Sequence, residues 1–187
     1  MHIVVAGATG ATGRLVVEQA VEAGHEVTTL VRDAARFAGP ETVQLIEVDV
    51  VSGHGVDLPA DADVVISALG KRSDKDRDPV CEPGVLHLLA AMQRAGLGRI
   101  VVISAGPVLR SGAGEGWFSR WVLGPVLRLR GRHIYPDLER MEDTLREAGD
   151  WCRWTIIRPG YLIDATELGR YRLAAEANVP GTTREPV

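Results

Sequence analysis

The chain has 187 residues, 45% of them hydrophobic and 25% charged, with a formal net charge of −4. That length fits one domain with a full core, and the acidic balance leaves no electrostatic footprint for nucleic acid or an anionic membrane. No apolar run approaches the roughly 20 residues that span a bilayer, and Met1 leads straight into a strand pattern with no basic, cleavable leader, so a cytoplasmic protein is expected.

Residues 2–6, His2-Ile3-Val4-Val5-Ala6, read as a short buried strand. A helix is expected over residues 14–23, with Leu15, Val16, Ala20 and Val21 at helical spacing and Gly24 as its stop. Between the two stands Gly7-Ala8-Thr9-Gly10-Ala11-Thr12-Gly13. A dinucleotide pyrophosphate needs a turn that tolerates unusual backbone angles, no side chain where backbone meets phosphate, and free N–H groups at a helix start. Gly7, Gly10 and Gly13 can supply these, with the Thr9 and Thr12 hydroxyls nearby. The spacing is Gly-x-x-Gly-x-x-Gly rather than the commoner Gly-x-Gly-x-x-Gly, so its weight comes from its place between strand and helix.

Residues 26–31 form a second expected strand, ending at Arg32-Asp33 with Arg36 four residues on, at the start of a short second helix. The tip of that strand sits beside the adenosine ribose in a nucleotide-binding βαβ unit, where an acid suits NAD and arginine suits the 2′-phosphate of NADP. Arg32 and Arg36 can clamp that phosphate. Third and fourth strands are expected over 42–48, running into Asp49-Val50, and over 63–68, running into Leu69-Gly70. Seven of the nine residues from Lys71 to Pro79 are charged with nearly cancelling signs, as in a solvated loop or a mobile edge of an active-site mouth.

A helix opens at Glu82-Pro83-Gly84, carries Val85, Leu88, Leu89 and Met92 on one face, and ends near Gly96. The fifth strand, 99–104, is apolar on both faces, as a central parallel strand should be. Read as five β-α units, the pattern predicts a three-layer α/β/α fold around a doubly wound parallel sheet, with the ligand crevice where strands one and four diverge. Segment 117–127, from Trp117 to Leu127, is aromatic and apolar. Pro125 and the net acidity argue against an interfacial membrane helix, leaving a lid over the mouth that forms a substrate wall or a protein-partner surface. Asp137 is expected to cap a helix bearing Leu138, Met141 and Leu145, and 153–158 forms a sixth strand ending in Pro159-Gly160-Tyr161. Cys81 and Cys152 are expected as buried reduced thiols. The five histidines form no His-x-x-x-His or His-x-Glu pattern, so no metal site is expected.

With these residues in view, the chain resembles the atypical short-chain dehydrogenase/reductases, in particular the NAD(P)H-binding group with NmrA-like proteins and the biliverdin-IXβ reductase/flavin reductase type. The resemblance rests on the glycine turn, on residues 24–33, on Asp49-Val50, on 68–72, on 138–142 and on 154–160, in order along nearly the whole chain. It implies one NAD(P)-binding Rossmann domain over 1–187 and NADP(H) as cofactor, NAD(H) being the weaker fit. It places phosphate at Gly7, Thr9, Gly10, Ala11 and Thr12, 2′-phosphate at Arg32 and Arg36, and adenine at Asp49 and Val50. The inner ribose falls at Leu69, Gly70 and Arg72, and the nicotinamide near Ser104, Pro159, Gly160 and Tyr161.

Two departures bear on chemistry. Most short-chain dehydrogenases carry Tyr-x-x-x-Lys, whose lysine lowers the tyrosine pKa for proton transfer to a carbonyl. Here Tyr135 is followed four residues on by Glu139, which argues against ketone reduction through a tyrosinate; Ser104 and Tyr135 are the candidate catalytic hydroxyls. The chain also stops at Val187, where related sequences run on into a further helix, so either the mouth is more open or the chain is truncated. The expected function is NADPH-dependent reduction of a planar conjugated acceptor such as a flavin, quinone or linear tetrapyrrole. The alternative is an NADP(H)-binding sensor without turnover that meets a partner protein through segment 117–127. Oligomeric state is open.

Overall fold

Val4, Val5 and Ala6 are fully buried, and their side chains alternate between the two faces of a sheet, which is why this short apolar run becomes its central strand. The structure is a computed structural model and describes residues 1–71, 76–109, 131–160 and 172–177. Among these, the strands are β1 (His2–Ala6), β2 (Glu26–Val31), β3 (Gln44–Glu47), β4 (Val64–Ser67), β5 (Arg99–Ile103) and β6 (Arg153–Ile157). The helices are α1 (Ala11–Glu22), α2 (Cys81–Ala95) and α3 (Tyr135–Glu147). All strand pairs are parallel and the order is β3-β2-β1-β4-β5-β6, the doubly wound Rossmann arrangement.

Two cores lie on the two faces. Val4, Ala6, Leu30, Val65, Ile100 and Val102 meet Val85, Leu88, Leu89 and Met92 of α2 and Leu138, Met141 and Leu145 of α3. On the other face Ile3, Val5, Val27 and Val64 meet Val17 and Ala20 of α1. Cys81 and Cys152 are buried, unpaired thiols in the first core. Burial, with the Asp137 carboxylate beside it, pushes the Cys81 thiol up to about 12 against the opposing charge of Lys71.

Three local expectations are corrected. The second helix at Arg36 is a single 3-10 turn, Ala34–Arg36, in which Ala35 N donates to the Asp33 carboxylate at 3.0 Å and Ala34 N to Glu47 Oε2 at 3.1 Å. No helix joins β3 to β4 among the described residues: Gly53 and Gly55 take φ of +76° and +67°, conformations that end helices, so the five β-α units reduce to fewer. Asp137 does not cap its own helix, whose N-cap position is Ile134. It lies inside the first turn of α3 and caps α2 instead, its carboxylate accepting from Val80 N at 2.9 Å and from Cys81 N and Glu82 N at 3.0 Å. The α2 sequence has no side-chain cap of its own, and a buried carboxylate from the neighbouring helix supplies one. An Arg140–Glu82 ion pair at 2.6 Å lies on the same seam.

Candidate cofactor and active site

With six parallel strands, all the loops that leave their C-terminal ends open on one edge of the sheet, and the strand order reverses between β1 and β4. At that point stands the glycine turn. Gly7 has φ of +87°, and a Cβ there would lie 2.5 Å from the Ala68 carbonyl oxygen after β4, so only glycine lets the two strand ends close. A Cβ on Gly13 would come 2.2 Å from the Gly7 carbonyl oxygen, so this glycine lets α1 seat against the turn. Gly10 differs: a Cβ there would meet only that carbonyl oxygen, at 3.3 Å, within 4 Å. It is exposed and occupies the N-cap of α1 without a side-chain cap or an acidic residue in the first turn. The α2 terminus holds a protein carboxylate; the α1 terminus leaves its N–H groups and positive dipole end for an anion, as a dinucleotide pyrophosphate requires.

Thr9, Arg32, Asp33 and Arg36 line one shallow pocket beside that terminus. Asp33 is turned onto its own 3-10 turn, and neither guanidinium has a partner among the described residues. A phosphate next to the pyrophosphate fits this cationic wall.

Asp49 and Val50 follow β3, but their side chains face protein: the Asp49 carboxylate accepts from Val51 N at 3.0 Å, and Val50 is buried in the first core. His87 of α2 supports that loop, its Nδ1 3.0 Å from the Val50 carbonyl oxygen. Leu69 packs toward α2 at Gly84, and Gly70 is exposed with open space at its Cα. Lys71 ties this strand end to the approach of α3 by donating to the His133 carbonyl oxygen. Arg72 and Tyr161 lie outside the described residues, as does segment 117–127.

At the other end of the crevice, β5 and β6 lead out side by side, with Ser104 N donating to the Ile157 carbonyl at 2.8 Å and Gly106 N to that of Pro159 at 2.9 Å. Gly160 is exposed beyond them. Ser104 is 6% exposed, and its hydroxyl donates to Glu142 Oε1 at 2.7 Å. Glu142, 1% exposed, also accepts from Arg158 through both oxygens, at 2.9 and 2.8 Å, and from Arg146 at 2.8 Å. Burial alone would raise this carboxyl; the hydrogen bonds from Arg158, Ser104 and Arg146, with the Arg158 charge, hold it below its usual value. Glu142 in turn raises the Arg158 pKa. Tyr135 opens α3, two turns from Glu142, about 10 Å along the helix axis.

Glu142 and Arg158 stand 16 residues apart, and no local spacing marks them as a pair. A signal was present, since Glu142 falls on the stripe formed by Leu138, Met141 and Leu145, where an acid must be buried and matched.

The model of the NAD(P)H-binding family matches residues 7–186, and the chain belongs to that family. An uncharacterized chloroplastic protein of Arabidopsis thaliana is 30% identical over a 176-residue alignment that covers 86% of this chain and 59% of that relative. The chain thus spans less than two thirds of that relative's length. Among solved structures, the oxidoreductase ylbE of Lactococcus lactis superposes with a TM-score of 0.67 at 20% identity, over 89% of this chain and 73% of that one. A Streptococcus pneumoniae protein proposed to be an NADH-flavin reductase gives 0.62 at 22%, over 85% and 71%. Gre2 of Candida albicans, solved with NADPH, gives 0.57 at 18%, over 86% and 58%. At these identities the likeness to the solved structures is one of fold. No helix among the described residues is long and apolar enough to cross a membrane.

Proposed function

We propose that the protein is an NADPH-dependent oxidoreductase that reduces a planar conjugated acceptor, a flavin, quinone or linear tetrapyrrole. The observation that carries the reading is the grouping of Thr9, Arg32 and Arg36 around one pocket beside the uncapped start of α1. Two charge-assisted contacts to a 2′-phosphate favour NADPH over NADH. Gly7, Thr9, Gly10, Ala11, Thr12 and Gly13 receive the pyrophosphate, Leu69 and Gly70 border the inner ribose, and Asp49 and Val50, whose side chains face protein, can meet the adenine only through their backbone. Bound NADPH supplies the hydride.

Ser104, Pro159 and Gly160 border the reacting end. Ser104 gives its proton to Glu142, so its oxygen offers lone pairs to an amide N–H and fixes orientation. Of the two candidate hydroxyls, Ser104 has its hydrogen engaged by Glu142 and serves to position, and Tyr135 has no lysine of the Tyr-x-x-x-Lys kind. A conjugated acceptor spreads the incoming negative charge over its ring, and water protonates it, so the reaction runs without a dedicated side-chain acid. The two unpaired thiols agree with a reducing compartment such as the cytosol.

Steady-state loss of NADPH absorbance with a panel of flavins and quinones tests the proposal. Turnover with at least one acceptor is expected. Tight NADPH binding without turnover on any of them contradicts it and leaves an NADP(H)-binding sensor.

A further inference from the structure

At the opposite edge of the sheet from the crevice, three residues far apart in sequence come together. His2 begins β1, Glu26 pairs with it in register at the start of β2, and Asp61 precedes β4. His2 is only 5% exposed, and its Nε2 lies 2.7 Å from the hydroxyl of fully buried Thr28. The other ring nitrogen, Nδ1, is buried without a hydrogen-bond partner among the described residues. It faces Asp61 Oδ2 at 3.3 Å, near enough for attraction but out of hydrogen-bond alignment. With a Glu26 carboxylate oxygen, the three atoms lie within 4.8 Å of one another.

We propose that His2 Nδ1 and the carboxylates of Glu26 and Asp61 form a site for a divalent cation of the zinc class. A neutral imidazole whose Nε2–H donates to Thr28 leaves the Nδ1 lone pair aimed at two carboxylates, an arrangement that a cation between them stabilises. One imidazole nitrogen and two carboxylate oxygens are a donor set Zn2+ accepts, whereas Mg2+ and Ca2+ prefer all-oxygen shells. In a tetrahedral site with bonds of about 2.0–2.1 Å, neighbouring ligand atoms stand about 3.3–3.4 Å apart. His2 and Asp61 already stand at 3.3 Å. Both carboxylate side chains are exposed and close the remaining gap by rotation, with water in the fourth position.

The surroundings fix the ligands. His2 N donates to Asp63 Oδ2 at 2.7 Å, Asp63 N to the His2 carbonyl at 2.8 Å, and Gln44 Nε2 to Glu26 Oε1 at 3.0 Å. A cation there ties the starts of β1 and β2 to the loop before β4. Local histidine spacing, which predicts no metal site, misses ligands that only the parallel sheet assembles.

The test is calorimetric titration of the untagged full chain with ZnCl2 and, separately, MgCl2, with metal content measured after dialysis. One Zn2+ per chain is expected, with no comparable uptake of Mg2+. The Asp61→Asn, Glu26→Gln double variant alters exposed side chains, so it folds, as its metal-free Tm against wild type will check. It should bind Zn2+ at least about tenfold more weakly, the lower end of what loss of an outer-shell partner costs. Zinc should raise the Tm of wild type but not of the variant, and NADPH affinity should be the same in both. Absence of stoichiometric zinc, or equal zinc affinity in the two chains, overturns the proposal.

Discussion

A Cβ on Gly13 would come 2.2 Å from the Gly7 carbonyl oxygen, whereas one on Gly10 would meet that atom at 3.3 Å and no other atom of the described residues within 4 Å. The two glycines therefore fail differently. Gly13→Ala forces helix and turn apart and is expected to cost at least about 2 kcal/mol, read as a lowered urea midpoint. Gly10→Val should stay within about 1 kcal/mol of wild-type stability yet lose NADPH binding in a calorimetric titration, because its branches fill the pyrophosphate space. Wild-type affinity in Gly10→Val would remove phosphate from this turn. Tyr135→Phe is expected to change kcat only a few-fold, since Glu139 stands where a lysine would activate the phenol. A loss of about 10²–10⁴-fold, typical of a missing general acid, would make Tyr135 the proton donor.

The seam between α2 and α3 shows how elements are joined through charge. Asp137 satisfies three N–H groups at the start of α2 from inside α3, so Asp137→Ala both uncaps one helix and loosens the other. Thermal or urea unfolding should show a loss of about 2–4 kcal/mol. Five residues further along α3, Glu142 joins the helix to the ends of β5 and β6 through Ser104 and Arg158. Its carboxyl ionises below the ordinary 4.5 in the folded chain, so the unfolded chain takes up a proton first as pH falls. This contribution is whole above about pH 4.5 and is lost as pH drops through the folded value. Urea midpoints measured across that acid range should fall with pH in wild type and more shallowly in Glu142→Gln. Parallel slopes would mean that Glu142 does not carry the acid response.

Across the whole molecule, the features legible in the sequence were those set by local pattern. The apolar runs of β1, β2 and β5 and the stripe of α2 follow from period alone, and the glycine turn announces itself by sitting between strand and helix. Stops at Gly24 and Gly96 were equally plain, with φ of +78° and +72°. Contacts made across sequence distance were not legible. Asp137 has the composition of a cap for its own helix, and only the packing of α3 on α2 turns its carboxylate to a neighbour; His2, Glu26 and Asp61 share no spacing at all. Arg32 and Arg36 were legible as a pair because one turn of chain brings them together, and they carry the central claim that this crevice takes NADPH. Calorimetric titration of wild type and Arg32→Ala with NADPH and NADH tests it most directly. The account predicts at least tenfold tighter binding of NADPH by wild type, about 1.4 kcal/mol, with much of that preference gone in Arg32→Ala. Equal affinity of wild type for the two nucleotides, or an unchanged preference in Arg32→Ala, would contradict it.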